Sequence, residues 1–290
     1  MDPMSTKAAP EVAAPETLIK ASSISFTEAS VSERYDDVYQ VITPDAIATI
    51  RWREGAYEFV CVNGVSLRIQ VPASGIVRMR YSPDGTFGPD FSYALNPGFE
   101  PEKVTVTLNE TDSEYLLESE LLQVVISKRD LRVKFYNQAD QVIFEDATGF
   151  SAKRTIMKGW CELQLAQKSP KKTVYLGLGD KACGTNLAGK KFENWCTDAY
   201  GFGRESDAMY RAVPFYYALH QELAYGIFLD NSYRSHFDFD TEEKNVTCFS
   251  AEGGELNYYF IYGPGLMEVA QAYTRLTGTH ELPPMWALGY

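Results

Sequence analysis

Phe59-Val60-Cys61-Val62-Asn63-Gly64-Val65-Ser66-Leu67-Arg68-Ile69-Gln70-Val71 decides the fold class of this 290-residue chain. An apolar run stops at Asn63-Gly64, a dipeptide that favours a hairpin turn, and resumes as apolar/polar alternation. Period-two alternation places every second side chain on one face, as a half-buried antiparallel strand requires.

The same texture extends outward in both directions. Ile76–Tyr81 ends at Ser82-Pro83-Asp84-Gly85, and short runs follow at Val104–Leu108, Leu121–Ile126, Leu131–Phe135 and Val142–Phe144. Beyond Trp160 come Cys161–Leu165, Thr173–Leu178, Phe215–Leu219, Tyr225–Asp230, Ser235–Asp240, Asn245–Ser250 and Leu256–Tyr262. Roughly 14 or more strands with no helices between them exceed a seven-stranded sandwich and predict a larger double-sheet one. One helix is expected after Gly263-Pro264-Gly265, where Leu266, Val269, Ala270, Tyr273 and Leu276 share a helical face and Gly278 stands at the C-terminal cap. Leu282–Tyr290 reads as a proline-marked boundary and then the opening of an apolar strand, so the sequence is expected to be a fragment.

Composition agrees with a β-rich core: 45% of residues are hydrophobic, with 19 Tyr and 16 Phe. A net charge of −12 opposes nucleic-acid binding. No run approaches membrane-spanning length, so neither nucleic acid nor membrane is an expected partner. The five cysteines are scattered without a CxxC pair, and no signal peptide precedes the Ala/Pro/Glu-rich start. Together these point to a cytoplasmic protein, with a secreted or periplasmic location left open if the native N-terminus was replaced. No metal site and no cofactor are expected.

Three motifs carry weaker chemistry. Gly184–Lys191 nearly matches a phosphate-binding loop, but Lys191 replaces the metal-binding hydroxyl and Phe192-Glu193-Asn194-Trp195 does not continue as a helix. His236, Asp238 and Asp240 would share one face of a strand, as a metal cluster or as a solvated surface over Phe237 and Phe239. His220 and His280 have no nearby nucleophile pattern. Trp195–Gly203 is more pointed, combining two glycines, three aromatics and an acid without periodicity. It reads as a sugar-facing loop, where rings stack on pyranoses and a carboxylate accepts hydroxyls, or as an aromatic-anchored structural loop.

An ordered series of short motifs then resembles glycoside hydrolase family 31, the α-glucosidase and α-xylosidase family. It runs through Gly177–Lys181, Thr197–Gly201, Pro214–Tyr217, Tyr225–Arg234, Glu255–Phe260, Tyr262–Pro264, Tyr273–Gly278 and Leu282–Tyr290. The resemblance implies an all-β fold, an antiparallel galactose-mutarotase-like β-super-sandwich, with one C-terminal helix and the first strand of a (β/α)8 barrel. The expected organisation is a disordered tail or appended residues over 1–20, the sandwich over 21–263, a connecting helix over 264–281 and the start of the catalytic barrel over 282–290. Family members are retaining α-glycosidases whose nucleophile and acid/base both lie in the barrel. The resemblance therefore implies no catalytic residue in this chain, which alone would be inactive.

The sandwich's implied part in the site is substrate binding by Asp198, with Trp195 and Tyr200 as ring platforms. Cys196 stands where the family has asparagine, and Asp180 where glutamate is commoner. The implied partners are an α-linked oligosaccharide or α-glucoside and the downstream barrel of the same polypeptide. A transglycosylase or glucan lyase uses the same scaffold, and a free-standing carbohydrate-binding module is the alternative from another class.

Overall fold

The computed structural model describes residues 39–156 and 158–289. The tail expected over residues 1–20 and the expected start of the sandwich at residue 21 lie outside them. The opening hairpin forms as read, from β3 to β4, but its turn is wider than two residues. Val60↔Ser66 is the last ladder pair, and of the two turn residues only Gly64 takes a positive φ.

Among the described residues the chain forms eighteen strands in order: β1 (Tyr39–Ile42), β2 (Ile47–Arg53), β3 (Ala56–Cys61), β4 (Ser66–Ala73), β5 (Ile76–Ser82) and β6 (Thr107–Glu110). Next are β7 (Glu114–Glu118), β8 (Leu122–Ser127), β9 (Val133–Asn137), β10 (Val142–Thr155), β11 (Gly159–Lys168) and β12 (Val174–Gly179). The last are β13 (Lys191–Asn194), β14 (Ala212–His220), β15 (Leu223–Leu229), β16 (Ser235–Phe239), β17 (Val246–Ala251) and β18 (Leu256–Gly263). The strand expected from Val104 begins only at Thr107, because the preceding segment is tied to β4, with Glu102 N–H donating to the Pro72 carbonyl.

Two antiparallel sheets result. The ten-stranded sheet runs β13-β16-β17-β11-β10-β9-β8-β7-β6 with β1 also paired to β10, and the eight-stranded sheet runs β12-β14-β15-β18-β5-β4-β3-β2. β10 serves two ladders because it bends: its first half pairs with β9, and after a bulge between Asp146 and Gly149 its second half pairs with β11.

The core lies between the sheets. Phe135 of β9 stacks on Phe260 of β18 at 4.1 Å, and Phe150 of β10 stacks on Tyr81 of β5 at 4.8 Å. Each fully buried ring of this kind contributes about 2–3 kcal/mol of transfer free energy. A second apolar cluster lies on the outer face of the eight-stranded sheet, beneath helix α1 (Leu266–Thr277). Val269 and Leu276 point inward from α1, and Tyr273 stacks on Phe215 at 3.9 Å. Gly226 permits this approach, since a Cβ there would lie 2.6 Å from the Phe215 ring and 2.9 Å from Val269. α1 is too short to span a membrane, and among the described residues no helix is long and apolar enough to do so.

The strand expected from Leu282 is not formed in this structure. Met285–Leu288 make one 3-10 turn, with Leu282, Met285 and Trp286 each more than four-fifths exposed. A strand needs a neighbour to take its N–H and C=O groups, and neither sheet offers one there.

Candidate functional site

The segment between β13 and β14 links an edge strand of one sheet to a strand of the other. It therefore projects from one end of the sandwich. Its stem is tightly braced. Arg211 forks onto Asp180 at 2.8 and 3.1 Å, while Asp180 N–H donates to the Arg211 carbonyl at 3.0 Å. That guanidinium holds the Asp180 carboxyl below the usual carboxylate range. Lys181, nearly buried, donates to the Glu193 carbonyl and to Asp207, both at 2.7 Å, and Asp207 also accepts from Glu193 N–H. Thr197 N–H closes the loop onto the carbonyl of buried Met209 at 2.9 Å, and Tyr210 donates to the Ala199 carbonyl at 3.0 Å.

Beside this stem lies a cleft of about 1240 Å³ over the outer face of the eight-stranded sheet. Its floor is charged, yet the charges are matched. Arg80 binds Glu255 through two bonds of 2.8 and 2.9 Å, and Arg78 reaches Asn257 at 3.0 Å and Asp90 at 2.8 Å. Asp230 accepts from Ser92 at 2.7 Å and Asn257 at 3.1 Å, and burial raises its carboxyl above the usual range. Satisfied buried ions of this kind hold a surface in shape rather than perform proton transfer.

The structure separates the three expected substrate-binding residues. Trp195, 42% exposed, lines the cleft, with the Arg234 guanidinium 5.1 Å from its ring centre and bonded in turn to Glu193 at 2.6 Å. Cys196 lines the cleft beside it. Asp198 and Tyr200 are not on the cleft: both are exposed at the outer part of the loop, Tyr200 at 97%, and neither side chain has a partner among the described residues.

The weaker motifs resolve simply. Gly184–Lys191 leads into β13, a strand, so no helix N-terminus points at a phosphate. His236 and Asp238 share the outer face of β16, but Asp240 leaves it at a φ of +72° and accepts from Asn245 N–H. Among the described residues no cluster of three or more His, Cys, Asp or Glu is placed to hold a metal ion. Tyr233, Phe91 and Tyr93, all exposed and all on the cleft, escaped the sequence reading. The sequence offers only the Asn231-Ser232 turn before Tyr233 and no periodicity around Phe91 as signals.

Comparison with known proteins places this geometry. The family profile described as glycosyl hydrolase 31 N-terminal galactose mutarotase-like domain matches residues 66–238. An alpha-glucosidase 2 of Bacillus thermoamyloliquefaciens is 34% identical over 83% of this chain and 30% of its own length. The alpha-xylosidase XylQ of Lactiplantibacillus pentosus is 31% identical over 73% of this chain and 26% of its own. The structure of a Flavobacterium johnsoniae GH31 dextranase complexed with isomaltotriose superposes with a TM-score of 0.75 at 26% identity, over 86% of this chain and 30% of that one. The chain thus spans between 26% and 30% of the length of these relatives. A matched profile over more than half the chain, on a double-sheet sandwich of the expected topology, shows that it belongs to glycosyl hydrolase family 31, as its N-terminal galactose mutarotase-like domain.

Proposed function

We propose that this chain is the sandwich domain of a retaining α-glycosidase, best described as an α-glucosidase, and that its β13–β14 loop forms the outer wall of the sugar site. The observation that carries this reading is the loop's division of labour. Its stem is fixed by a nearly buried lysine ion pair and a bidentate arginine one, while the Asp198 carboxylate at its outer part has no partner among the described residues. Holding a loop in one conformation costs conformational entropy, and a braced stem offsets that cost before ligand arrives.

An unpaired carboxylate on a loop with a braced stem is equipped to accept two sugar hydroxyls, with the Tyr200 ring exposed on the same outer part and the Trp195 ring facing the cleft. The nucleophile and the acid/base belong to a downstream barrel, where bond cleavage takes place. Exposed Leu282, Met285, Trp286 and Leu288 supply apolar surface against which that barrel docks.

The test is Asp198→Ala in the polypeptide that contains the barrel, assayed on isomaltose and maltose. kcat/KM is expected to fall on the order of 10- to 100-fold, the loss of one or two charge-assisted hydrogen bonds, with an unchanged melting temperature. Unaltered kinetics would remove Asp198 from the site.

A further inference from the structure

The outer face of the ten-stranded sheet carries a second groove, which meets the loop's cleft at Tyr233 and Gly254. Register places His236 opposite Ser250, and Ser250 opposite Gln164, so three polar side chains stand in a row across β16, β17 and β11. All three face outward, because their neighbours Phe237, Phe249 and Leu165 are buried in the core. They floor a groove of about 690 Å³, within the size range of small-ligand sites.

Two features give the groove a chemical preference. Among the described residues neither the Ser250 hydroxyl nor the Gln164 amide has a hydrogen-bond partner, although Ser250 is only 7% exposed. By contrast, the ionic side chains around them are internally paired. His236 meets Glu252 at 3.0 Å, Lys153 meets Glu162 at 2.7 Å, and Lys191 pairs with Glu242. Asp238 is saturated by the Thr241 hydroxyl and the Thr241 and Glu242 N–H groups. An anionic ligand would have to break these pairs, whereas a neutral polyol needs only the vacant donors and acceptors.

The rims add flat apolar surface. The Tyr233 ring lies across Gly253 and Gly254, where Cβ atoms would stand 2.7 and 3.2 Å from ring carbons, yet the residue remains 55% exposed. One ring face is therefore seated on backbone and the other is presented outward. Trp160 is fixed by its indole N–H donating to Asp84 at 3.0 Å, with the Arg154 guanidinium 5.6 Å from its ring centre. Rigid rings flanking neutral donors and acceptors match a sugar's alternation of C–H faces and hydroxyl edges.

We infer that this groove is a second, non-catalytic saccharide site, taking a short neutral oligosaccharide between Tyr233 and Trp160 with its hydroxyls on Gln164, Ser250 and the His236–Glu252 pair. Asp198 does not line the groove, although Tyr233 borders both the groove and the cleft, and only the choice of an α-linked probe rests on the proposed function.

The full 290-residue chain is titrated with isomaltotriose and followed by backbone amide NMR shifts. Saturable binding in the ~1–10 mM range is expected, with shifts centred on β11, β16 and β17. Gln164→Ala and Tyr233→Ala should each weaken it about fivefold or more, the loss of one net hydrogen bond or one stacked ring. Asp198→Ala should leave it unchanged. The Gln164 side chain makes no hydrogen bond among the described residues, so that variant keeps the test sound if Tyr233→Ala melts early. Absence of saturable shifts overturns the inference, as does displacement of the sugar by inorganic phosphate, which would mark an anion site. Binding abolished by Asp198→Ala alone would also overturn it, while leaving the loop's role standing.

Discussion

The outer face of the eight-stranded sheet is covered, whereas that of the ten-stranded sheet stays open over Lys191, His236 and Gln164. On the covered side α1 lies over Phe215 and Phe228, and the segment following β5 straps Arg78 and Arg80 through Asp90 and the Gly88 carbonyl. The strap is itself pinned, with Asn96 N–H donating to the Leu276 carbonyl and Glu102 binding Arg275. Polar groups on the covered side must therefore be matched inside the protein, and Arg80–Glu255 and Arg78–Asn257 do so. On the open side water supplies partners, and Ser250 and Gln164 are left free for a ligand. Outside the cleft, the same pleated architecture yields a structural surface where something is packed on it and an open one where nothing is.

The strongest way to break that contrast is to remove the covering. Phe215→Ala deletes a ring stacked on Tyr273 and buried at 4% exposure, and should cost about 3–5 kcal/mol, read as a fall in urea midpoint. Loss of less than about 1 kcal/mol would mean that α1 is not held by this cluster.

The inward side of the open sheet sharpens the comparison, because one carboxyl there is buried without a counter-ion. Asp146 is 3% exposed; its Oδ2 accepts Val133 N–H at 2.8 Å and its Oδ1 has no partner among the described residues. Nearby Arg132 is engaged by Asp130 at 2.7 Å. Burial pushes the Asp146 carboxyl up to about 8 from 3.8. The native state thus binds a proton that the unfolded chain releases above its own lower value. Stability from this group is greatest below pH 4, falls as pH rises towards 8 and is level beyond. Asp146→Asn removes that dependence and should stabilise by at most about 4 kcal/mol at pH 7, and by less at pH 5. Equal gains in melting temperature at both pH values would show that Asp146 is not protonated in the fold.

The smallest effect belongs on the open face. Lys191→Ala breaks an exposed pair with Glu242 and should change stability by no more than about 0.5 kcal/mol, an effect that shrinks further in high salt. A loss above about 2 kcal/mol would show that the open face needs its ion pairs to fold.

Much of this was legible in the chain. Val65–Val71 alternates, and Leu67 and Ile69 are buried as the pattern requires. The helix over Leu266–Thr277 followed from its apolar face and from Gly278. Trp195–Gly203 was readable as a special loop because its composition fits neither periodicity. In β5 the arginines interleaved with apolar residues carried no signal of their burial: Arg78 and Arg80 are 6% and 5% exposed, because the segment that follows β5 covers them. Likewise Leu282–Tyr290 read as a proline-marked boundary and the opening of an apolar strand, while strand formation depends on a neighbour that the segment's own residues do not encode.

Sequence alone determined the sandwich class, the family and the unusual loop, because side-chain period, turn chemistry and motif order are local properties of the chain. Tertiary structure alone decided that Trp195 borders a cleft while Asp198 does not, and that Tyr233 is laid flat by Gly253 and Gly254. It also set Ser250 between His236 and Gln164. Those relations depend on strand register and on which face is covered, and register joins residues whose separation in sequence carries no signal of their contact.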